Sequence, residues 1–342
     1  MEFTMRIASS LSASAITIAI VLFAAAAHAQ DGPRYGAQLE GFDYAYPVAR
    51  FAFDSQRQPL SMAYLDIAPT SSANGRSVVL LHGKNFCAGT WEGNIVALSG
   101  AGYRVIAVDQ IGFCKSSKPE RYQFTLAQLA GNTRALLASL GISKATIVGH
   151  SMGGMLAIRY ALQYPDAVEQ LVLIDPIGLE DWKALGVPWR SVDDWFAGER
   201  KTTSASIKRY QQATYYDGKW KPDYDRWLTM LAGMYAGPDG ERVAWNQALA
   251  SDMVFNQPVV YELPQLKVAT TLFIGHKDTT AIGKDLASPA LRKQLGDYRA
   301  LGRRAAKAIA GSTLVEFEDL GHSPQVEAPA RFNAALLKAL AG

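Results

Sequence analysis

One serine lies in a sequence context that is typical of a catalytic nucleophile. Ser151 is the centre of the run Gly-His-Ser-Met-Gly at residues 149–153, which follows an apolar β-type segment and precedes a helix-type segment. A Gly-X-Ser-X-Gly run between a strand and a helix indicates a nucleophile elbow, a turn so tight that only small residues fit around the serine. This turn would also place the amide of Met152 at a helix N-terminus, where it can stabilise an oxyanion. The alternative is a glycine-rich turn with an ordinary surface serine.

A serine hydroxyl is a weak nucleophile at neutral pH and needs a general base, for which histidine is best suited. The chain has five histidines. His28 falls in a predicted signal peptide, and His150 is the direct neighbour of the serine. His82 and His276 each follow a predicted strand, where we interpret them as structural. His322, in the loop after the last predicted strand, is therefore the candidate base.

The base in turn needs a carboxylate that holds its far nitrogen in one tautomer. Asp278 follows the seventh predicted strand and is the candidate. Asp175, after the preceding strand, is the alternative, whereas Asp319 is too close to His322 in the chain to reach round the ring. The predicted order of the triad along the chain is Ser151, Asp278, His322.

Strands and helices alternate from residue 77 onward, and they are expected to bring these side chains to one rim of a sheet. Continuous apolar runs, typical of strands buried on both faces of a parallel sheet, are separated by segments of helical periodicity. The pattern predicts an α/β fold with a doubly wound, mostly parallel sheet. The predicted strands are 77–81, 103–108, 146–148, 170–174, 270–274 and 313–317, and the predicted helices are 91–99, 126–140 and 155–164.

Two local signals add detail to this prediction. Residues 48–53 and 60–67 alternate apolar and polar side chains around a turn-like segment at 55–58, which predicts an antiparallel hairpin. The helix at 126–140 is expected to begin with a capping box formed by Thr125 and Gln128 and to end at Gly141.

The segment 179–266 differs in character from the rest of the chain. It separates the sixth and seventh predicted strands, and we expect it to form a helical lid over the carboxyl ends of the strands. Most of its large side chains are expected to pack in the lid itself and a minority to line the substrate pocket, which favours a substrate with an apolar or aromatic portion. The segment holds Trp182, Trp189, Trp195, Trp220, Trp227, Trp245, Tyr210, Tyr215, Tyr216, Tyr224 and Tyr235.

Residues 1–29 have the pattern of a secretory signal peptide. Arg6 precedes a mostly apolar stretch that ends in Ala-His-Ala at 27–29, which predicts cleavage after Ala29. The alternative is an uncleaved membrane anchor, but several serines weaken the apolar stretch. We therefore expect a periplasmic or secreted protein with no stable membrane anchor after cleavage.

The only two cysteines, Cys87 and Cys114, each lie a few residues beyond a predicted strand. If those strands are neighbours in a parallel sheet, both thiols lie on the same rim. In an oxidising compartment this arrangement predicts a disulfide, which would stabilise the fold by about 3 kcal/mol. Two buried free thiols are the alternative.

Composition excludes several classes of function. The net charge is +3 and no stripe of Lys and Arg is interleaved with aromatic residues, so we expect no nucleic-acid partner. The chain has no His-Glu-X-X-His, Cys-X-X-Cys or phosphate-binding Gly-X-X-X-X-Gly-Lys motif. We therefore expect neither a metal nor another cofactor.

The triad order and two further motifs resemble the α/β-hydrolase superfamily. The motifs are His-Gly-Lys-Asn-Phe at 82–86 and Asp-Gln-Ile-Gly-Phe at 109–113. The resemblance implies that the backbone of Lys84, or alternatively Asn85, donates the second oxyanion hydrogen bond. It covers nearly the whole mature chain, with a core of 30–178 and 267–342 and a lid of 179–266. In many members a loop Asp-X-X-Gly-X-Gly-X-Ser follows the fourth strand, and Cys114 replaces its second glycine here.

The resemblance implies a serine hydrolase that acts on carboxylic esters, lactones and thioesters included, through an acyl-enzyme. Ser151 argues against dehalogenase and epoxide-hydrolase chemistry, because those relatives carry an aspartate at the elbow. Two alternatives stay open. One is an amide or carbon–carbon bond hydrolase with the same triad, and the other is a protein that binds a small ligand without catalysis.

Overall fold

Eight strands form one sheet within residues 1–2 and 32–341, the part of the chain that the computed structural model describes. The strands are β1 (Ala49–Ser55), β2 (Gln58–Ile67), β3 (Ser77–Leu81), β4 (Arg104–Val108), β5 (Ala145–His150), β6 (Val168–Ile174), β7 (Thr270–Gly275) and β8 (Thr313–Phe317). Their order is β1-β2-β4-β3-β5-β6-β7-β8. The pairs β1–β2 and β2–β4 are antiparallel, and all other pairs are parallel. The predicted fold class is confirmed.

Alternate side chains of the central strands pack on opposite faces, because successive residues of a strand point to opposite sides of the sheet. Val78 and Leu80 belong to a cluster with Ile95 and Phe332 on one face. Their neighbour Val79 belongs to the cluster on the other face. The sheet is therefore buried on both sides, which explains why its strands appear in the sequence as continuous apolar runs.

The helices that cover the sheet follow the predicted alternation. Ile95 lies on the helix Glu92–Gly100 and Phe332 on the helix Pro329–Ala341, so these two helices pack on the same face. The helices outside the segment 179–266 are α1 (Glu92–Gly100), α2 (Leu126–Ser139), α3 (Met152–Gln163), α8 (Pro289–Arg292), α9 (Tyr298–Ala308), α10 (Pro324–Glu327) and α11 (Pro329–Ala341).

The two local predictions have different outcomes. The hairpin forms, with Ser55 opposite Gln58 and a two-residue turn whose φ angles are 51° and 64°, as in a type I′ turn. The predicted capping box at α2 is wrong for one of its two hydrogen bonds. The Thr125 hydroxyl accepts from the Gln128 amide, but the Gln128 side chain donates to Asn132 instead of returning to the cap.

Residues 179–266, called the insert below, lie between β6 and β7 and contain four α-helices. These are α4 (Val192–Glu199), α5 (Ser204–Thr214), α6 (Asp225–Ala236) and α7 (Gly240–Asn256). Gly32–Gly342 cluster as one compact unit, so the division into a core and a lid stays a prediction. The predicted signal peptide lies outside the described residues, apart from Met1 and Glu2. None of the described helices has the length and hydropathy that crossing a bilayer requires.

Candidate active site

Ser151 lies in the sharp turn between β5 and α3. Its backbone has φ 57° and ψ −119°, a region that residues with a side chain rarely adopt. A Cβ atom on Gly149 would lie 2.1 Å from the Gly153 carbonyl oxygen, and one on Gly153 would lie 2.1 Å from the Leu81 carbonyl oxygen. Only glycine fits at these two positions, as the sequence pattern predicts for a nucleophile elbow.

The three predicted triad residues meet at the carboxyl ends of the strands. His322 Nε2 lies 2.8 Å from Ser151 Oγ, and His322 Nδ1 lies 2.6 Å from Asp278 Oδ2. The side chains of His322 and Asp278 are fully buried. Since Nδ1–H donates to the carboxylate, Nε2 is the nitrogen that can accept the serine proton. The arrangement can therefore transfer a proton from the serine during nucleophilic attack.

The alternative acid, Asp175, does not reach the histidine. Its Oδ1 accepts from the amide of Gly275 at 2.8 Å, and its Oδ2 has no hydrogen-bond partner among the described residues. Burial and the nearby charge of Asp278 hold the pKa of Asp175 well above its usual range. Asp278 is further fixed because its Oδ1 accepts from the amide of Thr280 at 2.8 Å.

A turn at residues 83–86 lies directly beside the serine. The amide of Phe86 donates to the carbonyl of Gly83 at 3.0 Å, so Lys84 and Asn85 are the central residues of this turn. A Cβ atom on Gly83 would lie 2.9 Å from the Cβ of Ser151. Within residues 32–341, the backbone amides of Lys84, Asn85 and Met152 donate to no acceptor. These amides are available as oxyanion donors, and the geometry leaves both Lys84 and Asn85 as the second donor.

His82 and His150 support this arrangement as neutral side chains. His82 Nδ1 donates to the Gly83 carbonyl at 2.8 Å, and its Nε2 accepts from the Gln110 amide at 3.1 Å. His150 Nε2 donates to the His322 carbonyl at 2.7 Å. Burial lowers the pKa of both histidines, most strongly for His150. One histidine therefore holds the turn at 83–86, and the other holds the loop of His322.

Tyr215 of the insert contacts both sides of the site, although the sequence did not single it out. Its carbonyl accepts from the His322 amide at 2.9 Å, and its ring centroid lies 4.4 Å from that of the imidazole. Its hydroxyl accepts from Asn85 Nδ2 at 2.8 Å. The only sequence signal is its place among the aromatic residues of the insert, which do not differ in type or spacing enough to be ranked.

Glu327 is a second residue that sequence reasoning missed. Its Oε1 accepts from the amides of Gly321 at 2.9 Å and Ser323 at 3.3 Å. Burial raises the pKa of Glu327 to about 7. Together with the Tyr215 carbonyl, this carboxyl group binds three successive amides of the loop that carries His322.

Cys87 and Cys114 form a disulfide, with their Cα atoms 5.8 Å apart. The bond joins the segment that follows the turn at 83–86 to the loop that follows β4. Cys114 has φ 48°, in the region that the replaced glycine would adopt without strain. The covalent bond offers a physical reason for the departure from the family pattern at this position.

Three potential metal ligands, His82, Asp109 and Cys114, lie within 4.8 Å of one another. The potential ligand atoms of these three residues already have other hydrogen-bond or covalent partners. His82 Nε2 accepts from the Gln110 amide, Asp109 accepts from Ala88 and Tyr44, and Cys114 is in the disulfide. This cluster is therefore a structural one.

A cavity of about 760 Å³ lies between the insert and the strand ends, with Ser151 in its wall. Four of the aromatic residues named above line it, namely Trp195, Tyr210, Tyr215 and Tyr235. Buried residues elsewhere in the insert include Trp182, Tyr216 and Tyr224. The cavity is large enough for a small organic molecule.

Comparison with known proteins gives the family. The profile of the family described as alpha/beta hydrolase fold matches residues 76–329, more than half of the chain. The structure of a probable hydrolytic enzyme from Pseudomonas aeruginosa is similar at 63% sequence identity and a TM-score of 0.89, with 90% of this chain and 99% of that chain covered. An enol-lactonase from Burkholderia xenovorans shares the fold at 22% identity and a TM-score of 0.62, with 83% and 97% covered.

Curated relatives match shorter segments. A 2-hydroxy-6-oxo-6-phenylhexa-2,4-dienoate hydrolase from Comamonas testosteroni is 31% identical over 149 residues, which are 43% of this chain and 52% of that protein. An uncharacterized protein from Mycobacterium tuberculosis is 37% identical over 108 residues, which are 32% of this chain and 31% of that protein. These matches span about half or less of the relatives' length. From the family profile and the Pseudomonas structure, the chain belongs to the α/β-hydrolase fold family and is a hydrolase.

Proposed function

We propose that this hydrolase cleaves carboxylic esters of small molecules, lactones and thioesters included, through an acyl-enzyme on Ser151. The observation that carries the proposal is the position of the His322 imidazole, 2.8 Å from the Ser151 hydroxyl and 2.6 Å from the Asp278 carboxylate. The free amides of Met152 and of the turn at 83–86 support it, because acyl transfer requires donors where the oxyanion forms.

In the first half of the reaction, Ser151 Oγ attacks the ester carbonyl carbon while His322 Nε2 takes the hydroxyl proton. Asp278 stabilises the imidazolium. The carbonyl oxygen becomes an oxyanion that accepts from the amides of Met152 and of Lys84 or Asn85. His322 then protonates the leaving alcohol or thiol, and the acyl group stays on the serine.

In the second half, water enters the position that the leaving group has vacated. His322 removes a proton from this water, whose oxygen attacks the acyl carbon, and the same amides stabilise the second oxyanion. Collapse of this intermediate returns the proton to Ser151 and releases the carboxylic acid. No cofactor takes part in either half.

A panel of aryl and alkyl esters of rising acyl length, with amide analogues, tests this function. We expect turnover of at least some esters, and we expect Ser151→Ala to lower kcat by about a thousandfold or more while leaving the unfolding temperature nearly unchanged. Thermal unfolding of the variant is the control. Equal turnover by wild type and Ser151→Ala would contradict the assignment.

Hydrolysis of a carbon–carbon bond beside a ketone is the second candidate. The observation that favours it is the similarity to the Comamonas testosteroni 2-hydroxy-6-oxo-6-phenylhexa-2,4-dienoate hydrolase over part of the chain. The triad serves either chemistry, because a family fold hosts different reactions and the groups around the substrate select among them. Adding 2-hydroxy-6-oxo-6-phenylhexa-2,4-dienoate, the compound in that relative's name, to the ester panel separates the two candidates.

A protein that binds a ligand without catalysis would require a degenerate site. We propose instead that Ser151 is reactive, and labelling by a fluorophosphonate probe measures this directly. The probe should label wild type and not Ser151→Ala. We further propose that the insert acts as a lid and that the substrate has an apolar or aromatic portion, on the grounds that Trp195 and Tyr210 line the cavity.

We also propose that the protein is exported to the periplasm or the medium. The supporting observations are the signal-peptide pattern of residues 1–29 and the bonded pair Cys87 and Cys114, since disulfides persist in oxidising compartments. Sequencing the N-terminus of the protein recovered from its native host should give Gln30 as the first residue. A protein that retains its N-terminal segment in the cytoplasm would contradict export.

A further inference from the structure

An ion pair crosses the cavity wall beside the catalytic serine. Lys84 of the turn at 83–86 and Glu199 at the end of α4 both line the cavity with Ser151. Lys84 Nζ lies 2.7 Å from Glu199 Oε1, and the two side chains are only 15% and 14% exposed. Removing these two charges from water costs free energy, and this cost offsets much of their mutual attraction. The pair is therefore a poor means of stabilising the fold, which points to another role.

The two partners are not equally satisfied. Glu199 also accepts from the hydroxyl of Tyr235 at 2.5 Å and from that of Ser251 at 3.4 Å. The Lys84 ammonium group has three N–H donors, and within residues 32–341 it donates only to Glu199. Two donors of Lys84 are thus free beside an anchored carboxylate, and all four side chains line the cavity.

The other charged residues of the cavity wall do not offer this combination. Lys284 donates to the carbonyls of Thr279 and Leu295. Asp285 is paired with Arg190, and Arg209 is exposed. Among the charged residues described in the cavity wall, the Lys84–Glu199 pair is therefore the one that is partly buried and offers a substrate an available donor beside an acceptor.

We propose that the Lys84–Glu199 pair is a polar subsite that binds a neutral hydroxyl group of the substrate, so that the preferred substrates are hydroxylated esters. The inference rests on the proposed ester hydrolysis. A hydroxyl group accepts from Lys84 and donates to Glu199 at the same time. A carboxylate in the same place would accept from Lys84 but would be repelled by Glu199, and a hydrocarbon would leave the donors unpaired.

Paired esters test the subsite. The substrates are para-nitrophenyl alkanoates, their analogues with a hydroxyl group at successive carbons of the acyl chain, and the matching dicarboxylic monoesters. The measured quantity is the ratio of kcat/KM between each hydroxylated ester and its parent, in which any general loss of activity cancels. For wild type we expect this ratio to reach about 10 or more for at least one hydroxyl position, because a site that pairs a hydroxyl group rejects the analogue that lacks it.

Two variants remove one partner each. Lys84→Met keeps the backbone amide and should bring the ratio to about 1, since both free donors are lost. Glu199→Gln should lower the ratio and raise the relative rate on the dicarboxylic monoester, because the repelling charge is gone. The matched control is Arg226→Met, which breaks another contact between the insert and the rest of the chain, with Glu92, outside the cavity. The control should keep the wild-type ratio.

The outcomes distinguish a substrate subsite from an ion pair that only holds the insert in place. If Lys84→Met and Glu199→Gln slow parent and hydroxylated esters by the same factor, the pair only fastens the insert and the proposal is overturned. A wild-type ratio near 1 at every hydroxyl position also overturns it, while ester hydrolysis itself stands. If wild type turns over none of the esters, the proposed function fails and the subsite fails with it.

Discussion

The two walls of the cavity are built in different ways. On the wall formed by the sheet, Ser151, Asp278 and His322 lie on turns that directly follow β5, β7 and β8. Each of these turns is anchored by backbone hydrogen bonds, such as that of the Ser151 amide to Ile174 at 3.0 Å. On the wall formed by the insert, Tyr215 and Glu199 reach the opposite side mainly through side-chain hydrogen bonds and a ring contact.

This difference suggests a division of tasks. Reacting groups must be held within fractions of an ångström of their productive geometry, which rigid strand ends achieve. Residues that bind the rest of a substrate tolerate substitution, because each of them contributes one local hydrogen bond or apolar contact. We infer that the sheet wall determines the reaction and that the insert wall determines the substrate. Substitutions of the triad residues on the sheet wall should therefore lower kcat far more than substitutions on the insert wall.

The largest effect in this comparison is expected for Asp278→Asn. The asparagine can stabilise the wrong tautomer of His322 and carries no charge for the imidazolium, so kcat should fall by about a thousandfold to ten-thousandfold. The matched control is Asp175→Asn, which should cost less than about tenfold because Asp175 does not contact His322 and the asparagine oxygen can still accept from the Gly275 amide. Steady-state kinetics on one ester measure both. Similar losses in the two variants would mean that the acid has been misassigned.

The disulfide of the sheet wall should affect stability more than catalysis. Cys87 and Cys114 are 27 residues apart, and their replacement by serine should lower the free energy of unfolding by about 3 kcal/mol, since the open loop gains entropy in the unfolded chain. Urea denaturation measures this loss. Activity should fall less than about tenfold, because His82 holds the turn at 83–86 from its other end. An unchanged urea midpoint, with two free thiols titrated in denatured wild type, would contradict the bond.

The smallest effect is expected for Tyr215, an insert residue whose ring packs against the imidazole of His322. Tyr215→Leu removes the ring that lies 4.4 Å from the imidazole and should lower kcat by about fivefold, because the ring stabilises the imidazolium by about 1 kcal/mol. Tyr215→Phe keeps the ring and loses only the bond from Asn85, so its kcat should stay near that of wild type. The backbone bond to His322 is present in both variants. If the leucine variant matches wild type, the Tyr215 ring contributes nothing to the reaction itself.

Local rules made most of the fold predictable. Strands 77–81 and 313–317 have the predicted bounds, and the other strands differ from prediction by one or two residues at their ends, where pairing with neighbours rather than side-chain type decides the last residue. The capping box failed because the Gln128 side chain found Asn132, one turn further along the same helix. The capping hydrogen bond competes with other side-chain hydrogen bonds of similar energy, and residue spacing alone does not predict which of them forms.

The candidate site was predictable where one residue type has a restricted set of roles. The sequence already contained the elbow around Ser151, because only glycine fits at positions 149 and 153. It contained His322 because only one histidine follows the last strand. It favoured Asp278 as the acid and kept Asp175 as the alternative, since the two residues follow neighbouring strands and periodicity does not say which carboxylate faces the ring.

The tertiary structure decided the contacts between distant segments. Asp278 and His322 are 44 residues apart in the chain, Lys84 and Glu199 are 115 apart, and Tyr215 and Asn85 are 130 apart. Periodicity and turn chemistry act over a few residues, so the sequence by itself determined the strands, the elbow and the nucleophile. The contact of Asp278 with His322 depends on how the loops after β7 and β8 pack together, whereas the contacts of Tyr215 and Lys84 depend on how the insert packs against the strand ends. Only the folded chain brings these atoms within bonding distance.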